Sequence, residues 1–96
     1  MIIVHDIFIC KPGNASKMAK MFKEAMGGES GTSIMTDMTG EFNKVVMVSQ
    51  YKDLAEFEKS FEKYMKPDEE MKKTMAKMEG YHDMYVAGRR EIYRVW

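Results

Sequence analysis

Residues 2 to 10, "IIVHDIFIC", are apolar on both alternating faces. Ile2, Val4, Phe8 and Cys10 share one face with Asp6, while Ile3, Ile7 and Ile9 share the other with His5. A strand that is apolar on two sides is covered on two sides, which places it in the middle of a sheet. Pro12-Gly13 ends the run, and Asn14 can cap a following helix. From Ala15 the period changes: Ala15, Met18, Met21, Phe22, Ala25 and Met26 form one stripe, with Lys17, Lys20, Lys23 and Glu24 opposite. Gly27-Gly28 is the predicted stop. With one glycine and a capping Asn, "KPGNASK" is a strand-to-helix corner rather than a phosphate-cradling loop.

The second half repeats the alternation of patterns. Thr32 to Thr39 predict a weaker strand of mixed polarity, suited to an edge. "TGE" (39–41) predicts a hairpin turn, and "FNKVVMVSQY" (42–51) a second central strand whose Val45–Val48 run is apolar on both faces. Asp53 can cap a helix with Leu54, Phe57, Phe61, Tyr64 and Met65 on its buried stripe. Pro67 ends or kinks that helix near Lys66; a further short helix carries Met71, Met75 and Met78, and Gly80 closes it. "DMYVAGRREIYRVW" (83–96) predicts the last strand, with a bulge at Gly88. The order strand, helix, strand, strand, helix, strand is the ferredoxin-like βαββαβ plan: an α+β fold, an antiparallel sheet with helices on one face, and residues 1–96 as a single domain. Both central strands are nevertheless apolar on both faces. A second copy covering the helix-free face, a face-to-face homodimer, resolves that excess.

Composition narrows the function classes. Lys+Arg and Asp+Glu both total 15, a neutral balance that gives no electrostatic reason for a nucleic-acid or anionic-membrane partner. No apolar stretch approaches the ~20 residues of a membrane span. The start "MIIVHDIFIC" lacks the pattern of a signal peptide, and the lone Cys10 permits no internal disulfide, so a cytoplasmic location is expected. The twelve methionines stand where leucine usually would, there being one Leu, and no His or Cys clusters beside them to complete a metal site. No cofactor is expected.

Residues 7–13, "IFICKPG", resemble the opening strand and turn of NIPSNAP-like proteins. "GEFNKVVMVSQYKDLAEFE" (40–58) resembles their more distinctive stretch, through Gly40, Asn43, Val45, Val46, Tyr51, Asp53 and Leu54; "GRREIYRV" is loosely similar. The resemblance implies a dimeric α/β barrel, in which two ferredoxin-like sheets pack together. It departs at Met47 and Ser49, where that family often shows His and Trp. The wider superfamily includes cofactor-independent monooxygenases, isomerases and haem-degrading enzymes. Haem degraders of this type use an Asn on the first strand and a Trp and a His in the second helical region; this chain offers Asp6 and Tyr64 at the first two places. It has no His between residues 52 and 80, so no axial imidazole for haem.

Asp6 is the candidate with most chemistry, because a carboxylate on an apolar central strand must find a partner or carry a perturbed pKa. It is either a general base or held in a structural pairing with Arg, Lys or a hydroxyl. Asp6, Phe8, Tyr51 and Tyr64 are the pocket candidates, and Asp6 with Tyr64 the catalytic ones; Tyr81, Tyr85 and Tyr93 could extend the lining or simply pack. His5, on the opposite face, fits an interface or core position, His82 an exposed turn, and Cys10 an inert strand-end thiol. Arg89, Arg90 and Arg94 could bind an anion, guard an edge or meet acids across the dimer. Two readings result. The first is a homodimeric module binding a small apolar or aromatic ligand between sheet and helices, or a protein partner. The second is a cofactor-independent monooxygenase or isomerase acting on an aromatic or polyketide-like substrate.

Overall fold

A computed structural model describes residues 1–26 and 31–96. Strand β1 (Ile2–Cys10) leads through the Pro12-Gly13 corner into α1 (Ala15–Met26). Strands β2 (Ser33–Thr36) and β3 (Lys44–Tyr51) follow, then three helical segments, α2 (Leu54–Ser60), α3 (Glu62–Met65) and α4 (Glu69–Lys77). A 3-10 turn (Tyr81–Asp83) precedes β4 (Tyr85–Arg94). The four strands form one antiparallel sheet in the order β2-β3-β1-β4. The two strands with apolar residues on both faces are the central ones, as their pattern requires. The proposed helix stop at Gly27-Gly28 lies outside the described residues.

The closed barrel is not what this chain builds. The sheet is open, and β2 and β4 are its two free edges. Four strands enclose no interior, since a filled barrel takes about eight, and β2 is only four residues long. The dimeric α/β-barrel description is therefore corrected to an open, four-stranded α+β sheet with helices on one face.

Alternation along β1 assigns its faces. Val4, Asp6, Phe8 and Cys10 point to the helices, while Ile3, His5, Ile7 and Ile9 point away. Under α1 the core is continuous: Cys10, Met18, Phe22, Met26 and Val45 are all buried. A twelve-residue helix with apolar residues at 18, 22 and 26 keeps one unbroken row against the sheet. Burial pushes the Cys10 thiol upward from its usual pKa, and the thiol donates to Met18 Sδ at 3.5 Å, so it is an inert core residue. Methionine supplies only part of this core, because Met1, Met35, Met38, Met65 and Met75 are exposed.

Local chemistry explains the breaks. Asp53 Oδ1 accepts from Glu56 N at 2.8 Å and starts α2, and Asp68 Oδ1 does the same for Met71 N and α4. The expected single helix of residues 53–66 is broken at Phe61. Ser60 Oγ donates to Phe57 O at 2.6 Å, and Phe61 N turns to Glu58 O instead of continuing the α ladder. The buried stripe predicted there shrinks to Phe57 and Phe61, while Leu54 and Met65 are 59% and 80% exposed. Lys66 ends α3 one residue before Pro67. The hairpin loop runs over residues 37–43 rather than three residues, closed by Lys44 N to Asp37 Oδ1 at 2.9 Å. The irregularity in β4 falls opposite Ile9 and Cys10 rather than at Gly88, which pairs regularly with Phe8.

Candidate functional site

Beside the buried cluster the sheet–helix layer is hollow, and Phe22 and Met26 of α1 form one side of the space. A cavity of about 350 Å³ opens between β1, β3 and β4 below and α2 and α3 above. That volume lies in the range of small-molecule sites. Its floor includes Asp6, Phe8, Met47 and Ser49, and its walls Phe57, Phe61 and Tyr64.

One ion pair organises the polar part. Antiparallel register sets Arg90 of β4 directly across from Asp6 of β1, both on the helix face. Arg90 Nε donates to Asp6 Oδ1 at 2.5 Å, with the Asp6 side chain 13% exposed and that of Arg90 45% exposed. The guanidinium also lies against two rings: its Cζ is 5.3 Å from the centroid of Phe57 and 5.1 Å from that of Phe61. Contacts of this kind contribute about 0.5–2 kcal/mol each, more as water is excluded. The rings form a chain, Tyr51 edge-on to Phe57 at 5.2 Å and Phe57 edge-on to Phe61 at 5.0 Å. Charge pairing and ring packing together fix the Arg90 plane at the cavity wall.

All four pocket candidates, Asp6, Phe8, Tyr51 and Tyr64, line this cavity. Tyr64 Oη donates to Met26 Sδ at 3.9 Å, which ties α3 to the end of α1. Tyr81 lines the cavity as well, its phenol pushed up by burial and by Tyr85. Tyr85 stands behind, edge-on to Phe8 at 5.1 Å, with His82 Nδ1 3.4 Å from its hydroxyl. Tyr93 and His5 pack on the opposite sheet face, 5.2 Å apart. There Glu91 accepts from Tyr93 and from Arg89, which holds its carboxyl below the usual range and raises Tyr93.

Sequence reasoning missed Arg90, Phe57 and Phe61 as one unit with Asp6. Strand order alone brings β4 beside β1, and alternation along β1 puts Asp6 on the helix face. Only the register, which a bulge opposite Ile9 and Cys10 shifts by one residue, decides between Arg89, Arg90 and Glu91 as the partner. Asp6 is ion-paired with Arg90, while the space beside it is open rather than packed with methionine side chains. Among the described residues, no three His, Cys, Asp or Glu side chains converge as a metal site would need, and no helix is long and apolar enough to cross a membrane.

No protein-family model matches the chain, and no curated protein matches its sequence. Solved structures match its fold. A NIPSNAP family protein from Agrobacterium tumefaciens superposes with a TM-score of 0.75 at 12% identity, over 97% of this chain and 90% of that one. An uncharacterized NIPSNAP-like domain protein from Burkholderia xenovorans gives 0.74 at 16%, over 99% and 84%. A second NIPSNAP domain protein from the same organism gives 0.72 at 12%, over 100% and 95%. These matches show a shared fold over nearly the whole chain.

Proposed function

We propose that this chain is a binding module for a small aromatic or otherwise apolar molecule, held in the cavity between sheet and helices. The observation that carries the reading is the cavity itself: about 350 Å³, walled by aromatic rings and methionines, with a few hydroxyls and one ion pair. Such a lining gains from burying a flat apolar ligand, by roughly 25 cal/mol per Å² of apolar surface. Oxidation or isomerisation with Asp6 as general base fits less well, because Asp6 Oδ1 already accepts from Arg90. Calorimetric titration with naphthalene tests the binding. Saturable heat that disappears in Ser49→Trp, which fills the cavity floor, is the expected result. Absence of saturable binding in the parent protein, for naphthalene and for its polar bicyclic analogues alike, overturns the reading.

The module works as a homodimer joined through the helix-free sheet face. Ile3, Ile9, Val46 and Val48 lie there half-buried, and Met35 and Tyr93 are exposed beside them. A second copy is the partner that matches this face: the charges beside the apolar rows, Arg89 and Glu91, are opposite in sign, so two identical faces can meet without net repulsion. Sedimentation equilibrium should give twice the 11.2 kDa chain mass, reduced to one chain by Val48→Lys. A single-chain mass for the parent protein at all concentrations overturns the dimer.

A further inference from the structure

We infer that the cavity selects uncharged aromatic molecules carrying a hydrogen-bond donor next to an acceptor, as a cyclic amide does, and that Asp6 and Arg90 read that pair together. This rests on the cavity being a small-molecule site and adds the chemical class of its occupant.

Among the described residues that line the cavity, Asp6 and Arg90 are the only charged ones, and they are bonded to each other. An anionic ligand would place a second negative charge beside Asp6 in competition for a guanidinium already neutralised. A cationic ligand would meet Arg90 in the same way. Against walls of Phe, Tyr and Met, an uncompensated charge loses hydration that nothing returns. A neutral ligand leaves the pair intact.

Geometry supplies the second half. The ion pair uses Nε of Arg90 and Oδ1 of Asp6. The two terminal amino groups of Arg90 and Oδ2 of Asp6 make no hydrogen bond among the described residues. A guanidinium has five N–H donors and a carboxylate about four acceptor positions, so the pair retains donors beside an acceptor at the edge of the cavity. A ligand with an N–H beside a carbonyl can donate to Asp6 Oδ2 while accepting from an Arg90 amino group. Phe57 and Phe61 keep the guanidinium plane from turning away. A hydrocarbon ring leaves both charged groups unsatisfied on its side, the kind of mismatch that sharpens selection.

Four probes of similar shape test this on the intact protein. These are 2-quinolone, N-methyl-2-quinolone lacking the donor, 2-naphthoate carrying a charge, and naphthalene lacking both polar groups. We expect 2-quinolone to bind at least about tenfold more tightly than each of the others, a difference of about 1.4 kcal/mol. In Arg90→Gln, checked for an unchanged circular dichroism spectrum, the preference over naphthalene should fall below about threefold; the ranking in the parent protein decides the matter if that variant does not fold. Any of the other three binding as tightly as 2-quinolone overturns the inference and leaves the site reading standing. If none of the four binds, both fall.

Discussion

Under α1, Cys10, Met18, Phe22, Met26 and Val45 close into a buried cluster. Under α2 and α3, across the same sheet face, no helical residue is fully buried and a cavity remains. The floors differ: Val45 and Cys10 under α1, but Asp6, Phe8, Met47 and Ser49 under α2 and α3. The helices above differ as well. Helix α1 runs twelve residues without interruption and sets three apolar side chains in one row. The second helical layer is cut at Ser60 and Phe61 and again at Pro67, so its pieces of seven and four residues present two rings to the sheet instead of a full stripe. An unbroken helix over an apolar floor packs dry, and a broken helix over a floor that carries Asp6 and Ser49 leaves room.

That contrast can be broken first by truncating a ring in each half. Phe22→Ala should cost about 3–5 kcal/mol, since Phe22 is fully buried. At roughly 4–8 °C of Tm per kcal/mol, the loss approaches the entire stability of a domain this size. Phe57→Ala, beside the cavity, should cost less than half as much. Equal losses would show the second half to be packed as tightly as the first. Asp6→Ala ranks next, at about 1–2 kcal/mol, because it strips Arg90 of its carboxylate while the half-exposed guanidinium regains water. Chemical denaturation resolves both. Leu54→Ala and Met65→Ala should change stability by no more than about 0.5 kcal/mol, as exposed positions do, although the sequence pattern placed them in the buried stripe.

The smallest effect lies on the other sheet face and depends on pH. Glu91 has its folded pKa lowered, by the hydrogen bond from Tyr93 first and from Arg89 second. Its contribution is therefore present above the unfolded carboxylate pKa and lost as pH falls through the lower folded value. Tyr93 has its folded pKa raised by the same bond, so its contribution is present below the unfolded tyrosine pKa and lost as pH rises through the folded one. Tyr93→Phe should accordingly lower Tm slightly at neutral pH, with the difference from the parent protein shrinking as pH falls below the usual carboxylate range. A difference that persists undiminished there would show that the hydroxyl acts through something other than ionised Glu91.

How far the sequence carries depends on whether the signal is periodic or relational. The two-faced apolar runs of β1 and β3 identify the central strands, because period-two alternation reports burial directly. The break near Lys66 follows from Pro67, a local covalent constraint. The cut at Phe61 does not, since Ser60 acts through a bond to the Phe57 carbonyl that many helices with serine never form. The pocket candidates Asp6, Phe8, Tyr51 and Tyr64 do lie together, but the Asp6–Arg90 pair is a fact of register, and a one-residue bulge sets it. The barrel expected from family resemblance fails for a related reason: closure is a property of how sheets meet, and this sheet ends in two open edges.

The chain carries its own reporters for the central claim, that the layer is solid under α1 and receptive under α2 and α3. Met26, Met47 and Met78 line the cavity, Met26 from the border of the packed cluster, whereas Met18 belongs to that cluster without lining the cavity and Met1, Met35 and Met38 are exposed away from it. Methyl-labelled methionine NMR during titration with 2-quinolone reads all of them at once. The account predicts ring-current shifts at Met26, Met47 and Met78 that saturate together, with Met18 and the exposed methyls unmoved. Shifts confined to the exposed methyls, or a Met18 signal that moves as far as that of Met47, would contradict it.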